Sequence, residues 1–147
     1  MKLSDYLAYP LTITKGNDSG YTITIDGIPG AITESPDENG IEEWALACFL
    51  DFADFAFSRN RSIPVAQKAK NGQKTLNLPA IVALKVMLQN EMIAQGVTKA
   101  ELARRIGASN SSVSQSLTLY RSNTKLDTLF LAFHALGLTP DIVISAT

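Results

Sequence analysis

The sequence predicts an α+β chain in two parts: a small antiparallel sheet carrying one helix, then an all-helical part closed by a short strand. Three observations lead there. Residues 6–34 hold short runs of Tyr, Ile, Leu and Thr between Gly-rich turns, and "YTITI" (Tyr21–Ile25) alternates at the period of a strand. Residues 41–58 are apolar at helical spacing. After Leu78 the pattern turns helical throughout, with Gly96, Gly107 and Gly137 as stops.

The 147 residues allow one ordinary domain or two small ones. At 46% apolar and 18% charged residues the chain can bury a core. No stretch approaches the ~20 apolar residues of a membrane span, and Met1–Asp5 open no secretory signal. The single Cys48 excludes an internal disulfide. A cytoplasmic protein without membrane contact is expected. Charge is uneven: net −7 over residues 1–60, +4 over 61–77 and +2 over 78–147. An acidic first part serves solubility or attracts a basic partner.

In chain order, Tyr6–Thr14 reads as a strand and "KGNDSG" (Lys15–Gly20) as a turn. Tyr21–Ile25 pairs back, "DGIPG" (Asp26–Gly30) breaks it, and Ala31–Glu34 is a short third strand. Ser35-Pro36-Asp37-Glu38 carries the marks of a helix start, although Gly40 moves the regular helix toward Ile41. That helix runs to about Ser58. On a wheel advancing about 100° per residue, Ile41, Trp44, Ala45, Cys48, Phe49, Phe52, Phe55 and Ala56 fill one arc, the expected core stripe. Leu46, Leu50, Ala53 and Phe57 fill the adjoining arc. Glu42 stands within the apolar side, and Glu43, Ala47, Asp51, Asp54 and Ser58 share the narrow remainder. A helix on a small sheet does not need so much apolar surface. The second stripe should therefore be buried by something beyond the sheet: a neighbouring segment such as Ser62–Ala66, a second copy, or a partner protein. Lys74–Leu78 supplies a fourth strand, giving β-β-β-α-β. Four helices follow: Pro79–Gln95, one opened at Thr98, Asn110 to about Leu119, and one opened at Thr124. "DIVISA" (Asp141–Ala146) is the closing strand.

The stretch "TKAELARRIGASNSSVSQSL" (Thr98–Leu117) carries the clearest chemistry. Thr98-Lys99-Ala100-Glu101 is a capping box, Gly107 supplies a left-handed turn, and Ser109 can cap the next helix. Leu102, Ala103, Ile106, Val113 and Leu117 are the positions that must be apolar, and Ala103 must be small where the helices cross. Together these read as a helix–turn–helix, the DNA-reading unit of many small repressors. A helix pair used only for packing or dimerisation is the alternative. The second helix would enter the major groove by its N-terminal end. Its outward Asn110, Ser111, Ser112, Ser114 and Gln115 suit base edges. Lys99, Arg104, Arg105, Arg121 and Lys125 flank it and can reach phosphates, though each alone also reads as a solvated surface charge. With no Lys or Arg on the second helix one copy binds weakly, so two or more copies are implied. Ile142, Val143 and Ile144 form the natural dimer element. A strand with no partner in a helical domain can satisfy its backbone by pairing with the same strand of a second copy. A homodimer, or a tetramer built from two of them, is expected.

Catalysis finds little support. His134 is the only histidine and reads as packed or solvated. One cysteine excludes the usual zinc clusters, and no GxSxG or P-loop occurs. Asp26, Asp51 and Asp54 read as surface charges. No catalytic residue, metal or cofactor is expected.

"GYTITIDGIPG" (Gly20–Gly30), "IEEWALACFLDFADFAF" (Ile41–Phe57), "SIP" (Ser62–Pro64) and the C-terminal helix–turn–helix resemble, in order and spacing, the HicB antitoxin family. The resemblance covers almost the whole chain. It implies that residues 1–77 form a reduced ribonuclease-H-like domain that masks a toxin rather than cutting RNA. It implies that residues 78–147 form a Cro- and lambda-repressor-like domain that represses the toxin–antitoxin operon. The implied partners are operator DNA and a HicA-type toxin, a small basic ribonuclease with a double-stranded-RNA-binding fold. An acidic first part and an excess apolar helix face are what a cap for a basic toxin could use, so the toxin-binding surface is expected to comprise Asp26, Glu42, Glu43, Trp44, Leu46, Leu50, Asp54 and Phe57. Two departures bear on it. The family's Phe-Pro-Asp-Leu-Pro-Gly turn is here Ile25-Asp26-Gly27-Ile28-Pro29-Gly30, so the Asp is displaced. Trp44 follows Glu43 where the family has Ala. The competing readings are a transcription regulator whose first domain senses a ligand or only oligomerises, and a nuclease.

Overall fold

A computed structural model describes residues 1–121 and 123–147. A 3-10 turn (Leu3–Tyr6) leads into β1 (Ala8–Lys15), β2 (Tyr21–Ile25), β3 (Ile32–Ser35), α1 (Ile41–Ser58) and β4 (Thr75–Asn77). The helices α2 (Ala80–Gln95), α3 (Lys99–Ile106), α4 (Asn110–Leu117) and α5 (Leu126–Ala135) follow. The expected β-β-β-α-β order is present, and the start of the first strand as read from the sequence is instead the 3-10 turn.

The sheet is antiparallel in the order β3-β2-β1-β4. Its register places Leu11 opposite Ile25, Ile13 opposite Ile23 and Tyr9 opposite Leu76. Side chains on strands alternate between faces, so Tyr9, Leu11, Ile23, Ile25 and Leu76 share the buried face. α1 covers that face, and the Tyr9 and Phe49 rings meet with centroids 5.0 Å apart.

The buried residues of α1 are Ile41, Ala45, Phe49, Ala53 and Ala56. On the wheel they centre about 60° from Ile41, toward the second apolar stripe. The expected core stripe is therefore corrected: Trp44 and Phe55 stand 46% and 58% exposed. The cause is a second neighbour, since α1 packs on the sheet and also on α2. Leu46, Leu50 and Phe57 are half-buried against the common core, and Ala53 is fully buried. The second stripe is thus covered only in part within the chain.

α2 packs against the 3-10 turn and α1 on one side and α5 on the other. Asn90 of α2 pins the segment after α1: its Oδ1 accepts from the Ile63 N–H and its Nδ2 donates to the Ile63 carbonyl, both at 2.8 Å. Tyr9 donates its hydroxyl to the Pro64 carbonyl at 2.8 Å.

The helix ends show which sequence signals operate. Thr98 and Ser109 accept at 3.1 Å from the N–H groups of Glu101 and Ser112, as capping residues do. Gly107 holds φ at +69° in the turn between α3 and α4. Two expected caps are corrected. Ser35 Oγ donates to the Asp37 carbonyl and α1 starts at Ile41 behind Gly40, because Asp37 Oδ1 takes the Gly40 N–H into a turn. Thr124 Oγ1 lies 3.4 Å from the Ser116 carbonyl and Lys125 occupies the cap of α5 without a side-chain bond. The closing strand is corrected too: residues 141–147 form no strand in the single chain, since no strand lies beside them. Ile142, Val143 and Ile144 are 65%, 79% and 92% exposed.

Candidate functional site

Two exposed surfaces of different character stand out. The first is built on α3 and α4. Val113 and Leu117 are buried, which turns the rest of α4 outward. Asn110, Ser111, Ser112, Ser114 and Gln115 are all exposed, as the sequence leads one to expect. Lys99, Arg104, Arg105, Arg121 and Lys125 are exposed around them.

The flanking cations are not equivalent. Glu101, which sequence reasoning used only as a capping residue, pairs with Arg104 at 2.6 Å and with Arg105 at 3.0 Å. Hydrogen bonds from Arg104 and then Arg105 hold its carboxyl down to about 2. Arg105 also donates to the Ala135 carbonyl at 3.0 Å and so ties α3 to α5. Arg104, whose side chain is 74% exposed, is the freer of the two.

Behind α4 lies an arrangement that the sequence analysis did not single out. Lys85 is fully buried. Its Nζ donates to the Thr118 carbonyl at 2.8 Å and to the Arg121 carbonyl at 2.5 Å. Gln89 donates to the Leu117 carbonyl at 3.0 Å. A helix end leaves its last carbonyls without partners, and two side chains of α2 supply donors here. Burial, with a smaller push from Arg121, lowers the Lys85 ammonium to about 8. The available signal was one Lys inside the apolar run "AIVALKVMLQ".

The second surface is the outer side of α1 with the free edge of β3. Ile32, Trp44, Cys48, Asp51, Phe52 and Phe55 line an open groove of about 380 Å³. Residues 31–58 contain seven acids and no base. Of the residues expected in a toxin contact, Trp44 lines this groove; Glu42, Glu43 and Asp54 are exposed elsewhere on α1, and Leu46, Leu50 and Phe57 are half-buried. Asp26 is committed elsewhere. Its carboxylate accepts from Thr12 Oγ1 and Gln73 Nε2, each at 2.7 Å, and fastens the strand end to the turn before β4. Sequence reasoning missed the groove because it assigned Trp44 and Phe55 to the core.

The two surfaces are joined. The Tyr120 hydroxyl, just after α4, donates to Asp51 Oδ1 at 2.5 Å. Asp51 raises the Tyr120 phenol to about 12, mainly through that bond. His134 is exposed. Among the described residues no group of three or more His, Cys, Asp or Glu could hold a metal ion. No helix among them is long and apolar enough to cross a membrane.

Comparison with known proteins places these surfaces in context. The sequence model of the HicB-like family, described as HicB_like antitoxin of bacterial toxin-antitoxin system, matches residues 8–87. Antitoxin HicB of Escherichia coli K12 is 33% identical over 89% of this chain and 94% of its own length. Antitoxin HicB 1 of Photorhabdus laumondii is 30% identical over 89% of this chain and 83% of its own length. The match to the family model and the breadth of these alignments lead to one conclusion: the chain belongs to the HicB-like antitoxins of bacterial toxin–antitoxin systems, and is not an enzyme.

Proposed function

We propose that this antitoxin has two binding functions. Its N-terminal part, residues 1–77 with α2 packed behind it, neutralises a HicA-type ribonuclease toxin by covering it. Its C-terminal part, residues 78–147, represses its own operon, with α3 and α4 acting as a helix–turn–helix. The observation that carries this reading is the segregation of exposed chemistry. One surface presents Asp51 beside apolar side chains on a helix whose other acids, Glu42, Glu43 and Asp54, are also exposed. The other presents Asn, Ser and Gln flanked by cations. An acidic surface attracts a basic protein and repels nucleic acid. Uncharged amides and hydroxyls on a short helix suit base edges in the major groove.

Glu42, Glu43, Trp44 and Asp54 are the toxin-facing residues favoured by exposure. Leu46, Leu50 and Phe57 support them from below. Asp26 acts by holding the strand end. On DNA, α4 reads bases while Lys99, Arg104 and Arg121 reach phosphates. Arg105 contributes mainly by fixing α3 on α5. Residues 141–147 pair with the same segment of a second copy, which covers Ile142, Val143 and Ile144 and sets two α4 helices at one spacing. The protein acts in the cytoplasm, where its toxin and operator are.

The test is co-expression with the cognate HicA-type toxin, read by growth rescue, alongside a gel shift on the operon's promoter. Rescue and a specific shift are expected. Growth arrest despite abundant folded antitoxin contradicts the neutralisation half. Equal affinity for promoter and random DNA contradicts the repressor half.

A further inference from the structure

The groove between α1 and the β3 edge has a chemistry more specific than its surroundings. Trp44 and Phe55 stand at its two ends along α1, about 16 Å apart by helical rise, Phe52 and Cys48 line it between them, and Ile32 lines the strand side. Asp51 is its only charged lining residue. Tyr120 occupies Asp51 Oδ1, and Oδ2 has no hydrogen-bond partner among the described residues. An apolar side chain entering the groove would satisfy the rings and leave that carboxylate oxygen without a partner. A cationic side chain satisfies both. The stem of an Arg or Lys packs on apolar surface while its head stays polar. A guanidinium is attracted to the faces of Trp and Phe and forms charge-assisted hydrogen bonds to a carboxylate. The chain's own Arg59 guanidinium already lies over the Phe55 ring, 5.0 Å from its centroid, so the position open to an incoming cation is at Asp51, above Cys48 and Phe52.

We propose that this groove is the anchoring pocket for one arginine or lysine side chain of the toxin, its stem on the apolar floor of the groove and its cation on Asp51. The proposal rests on the antitoxin reading above and adds the occupant and residues of its protein-binding site. A second copy of this chain fits poorly. In a two-fold contact the same surface faces itself, and residues 31–61, with seven acids and two bases, would meet a copy of the same net negative charge. Such like-charge contact is unfavourable. Tyr120 is a positioning residue here: it fixes one oxygen of Asp51 and so aims the other. A residue beside the DNA-reading helix thereby contributes to the protein-binding pocket.

The test uses the full chain and the cognate HicA-type toxin inactivated in its ribonuclease centre, with affinity measured by calorimetry. The double variant Trp44→Ala/Phe55→Ala changes exposed side chains only and should weaken binding roughly tenfold or more, as a lost interface anchor does. Asp51→Asn, which keeps the shape, should weaken it by about fivefold and flatten its salt dependence. Tyr120→Phe should cost less, and added to Asp51→Asn should cost nothing further, as expected if it acts through Asp51. Replacing each toxin Arg and Lys by Ala should reveal one whose loss is no longer felt in the Asp51→Asn background. Cys48, the only cysteine, should be protected from alkylation in the complex. Affinities within twofold of the wild type for the double variant and for Asp51→Asn overturn the pocket while leaving the antitoxin reading intact. Loss of self-association with unchanged toxin affinity also overturns it and assigns the groove to a second copy. Failure of the wild-type chain to bind the toxin overturns both.

Discussion

Lys85→Met removes a buried ammonium and keeps most of its volume. Two carbonyls, those of Thr118 and Arg121, then lose their donor. A buried carbonyl left unpaired costs about 1–3 kcal/mol. Relief of the burial penalty on the ammonium, about 3 kcal/mol for this shift, offsets much of that, leaving a net loss of at most roughly 3 kcal/mol at pH 7. For a chain of this length each kcal/mol lowers Tm by about 2–4 °C, so a drop of up to about 10 °C is expected. The pH dependence gives a second signature. The group titrates near 8 when folded against 10.5 ordinarily. Between those values the unfolded chain holds a proton that the folded chain has released, so wild-type stability rises with pH across that window. Below pH 8 the burial penalty is present in full and constant. Lys85→Met lacks this gain, so its deficit should widen from pH 8 to 10.5. Urea unfolding of both proteins at pH 7, 8, 9 and 10 measures it. Stability of Lys85→Met equal to or above the wild type at pH 10, or a deficit that does not widen with pH, would refute the assignment of Lys85 as a buried cap on the segment behind α4.

Three further outcomes follow from the same geometry. Asn110→Ala or Gln115→Ala should weaken operator binding by about 1–3 kcal/mol while sparing non-specific binding; an equal loss on random DNA in a gel shift rejects base reading. Arg104→Ala should lower the salt slope of DNA binding by about one, whereas Arg105→Ala should lower it less, because Glu101 and the Ala135 carbonyl hold that guanidinium; slopes in the reverse order, from affinities at several salt concentrations, contradict this. Deleting Asp141–Thr147 should abolish dimers in sedimentation and with them high operator affinity; a deletion that remains dimeric rejects strand pairing by the tail.

Local signals were legible in the sequence where the deciding atoms are close in the chain. Thr98, Gly107 and Ser109 fixed the ends of α3 and α4 because a cap or a left-handed turn needs only three or four residues. The alternation of Tyr21–Ile25 fixed β2. What needed distant neighbours was read less well. A wheel locates apolar stripes on α1, but the direction the helix faces depends on α2, some forty residues on. That rotation moved Trp44 and Phe55 out of the core and opened the groove. Ser35 and Thr124 have cap chemistry, yet Asp37 and Ser116 take part in competing local bonds. Asp26 looked free because Gln73, its partner, lies 47 positions away. Lys85 was passed over because a lone lysine in an apolar helix gives no hint of carbonyls supplied from beyond α4.

The central claim is that this chain neutralises a basic ribonuclease by direct cover. The most direct measurement titrates the full chain into the active cognate toxin while cleavage of a labelled RNA is followed. The account predicts that cleavage falls to zero at a fixed stoichiometry, and that added salt weakens the inhibition as an acid-to-base interface requires. Undiminished cleavage in the presence of excess folded chain would contradict it.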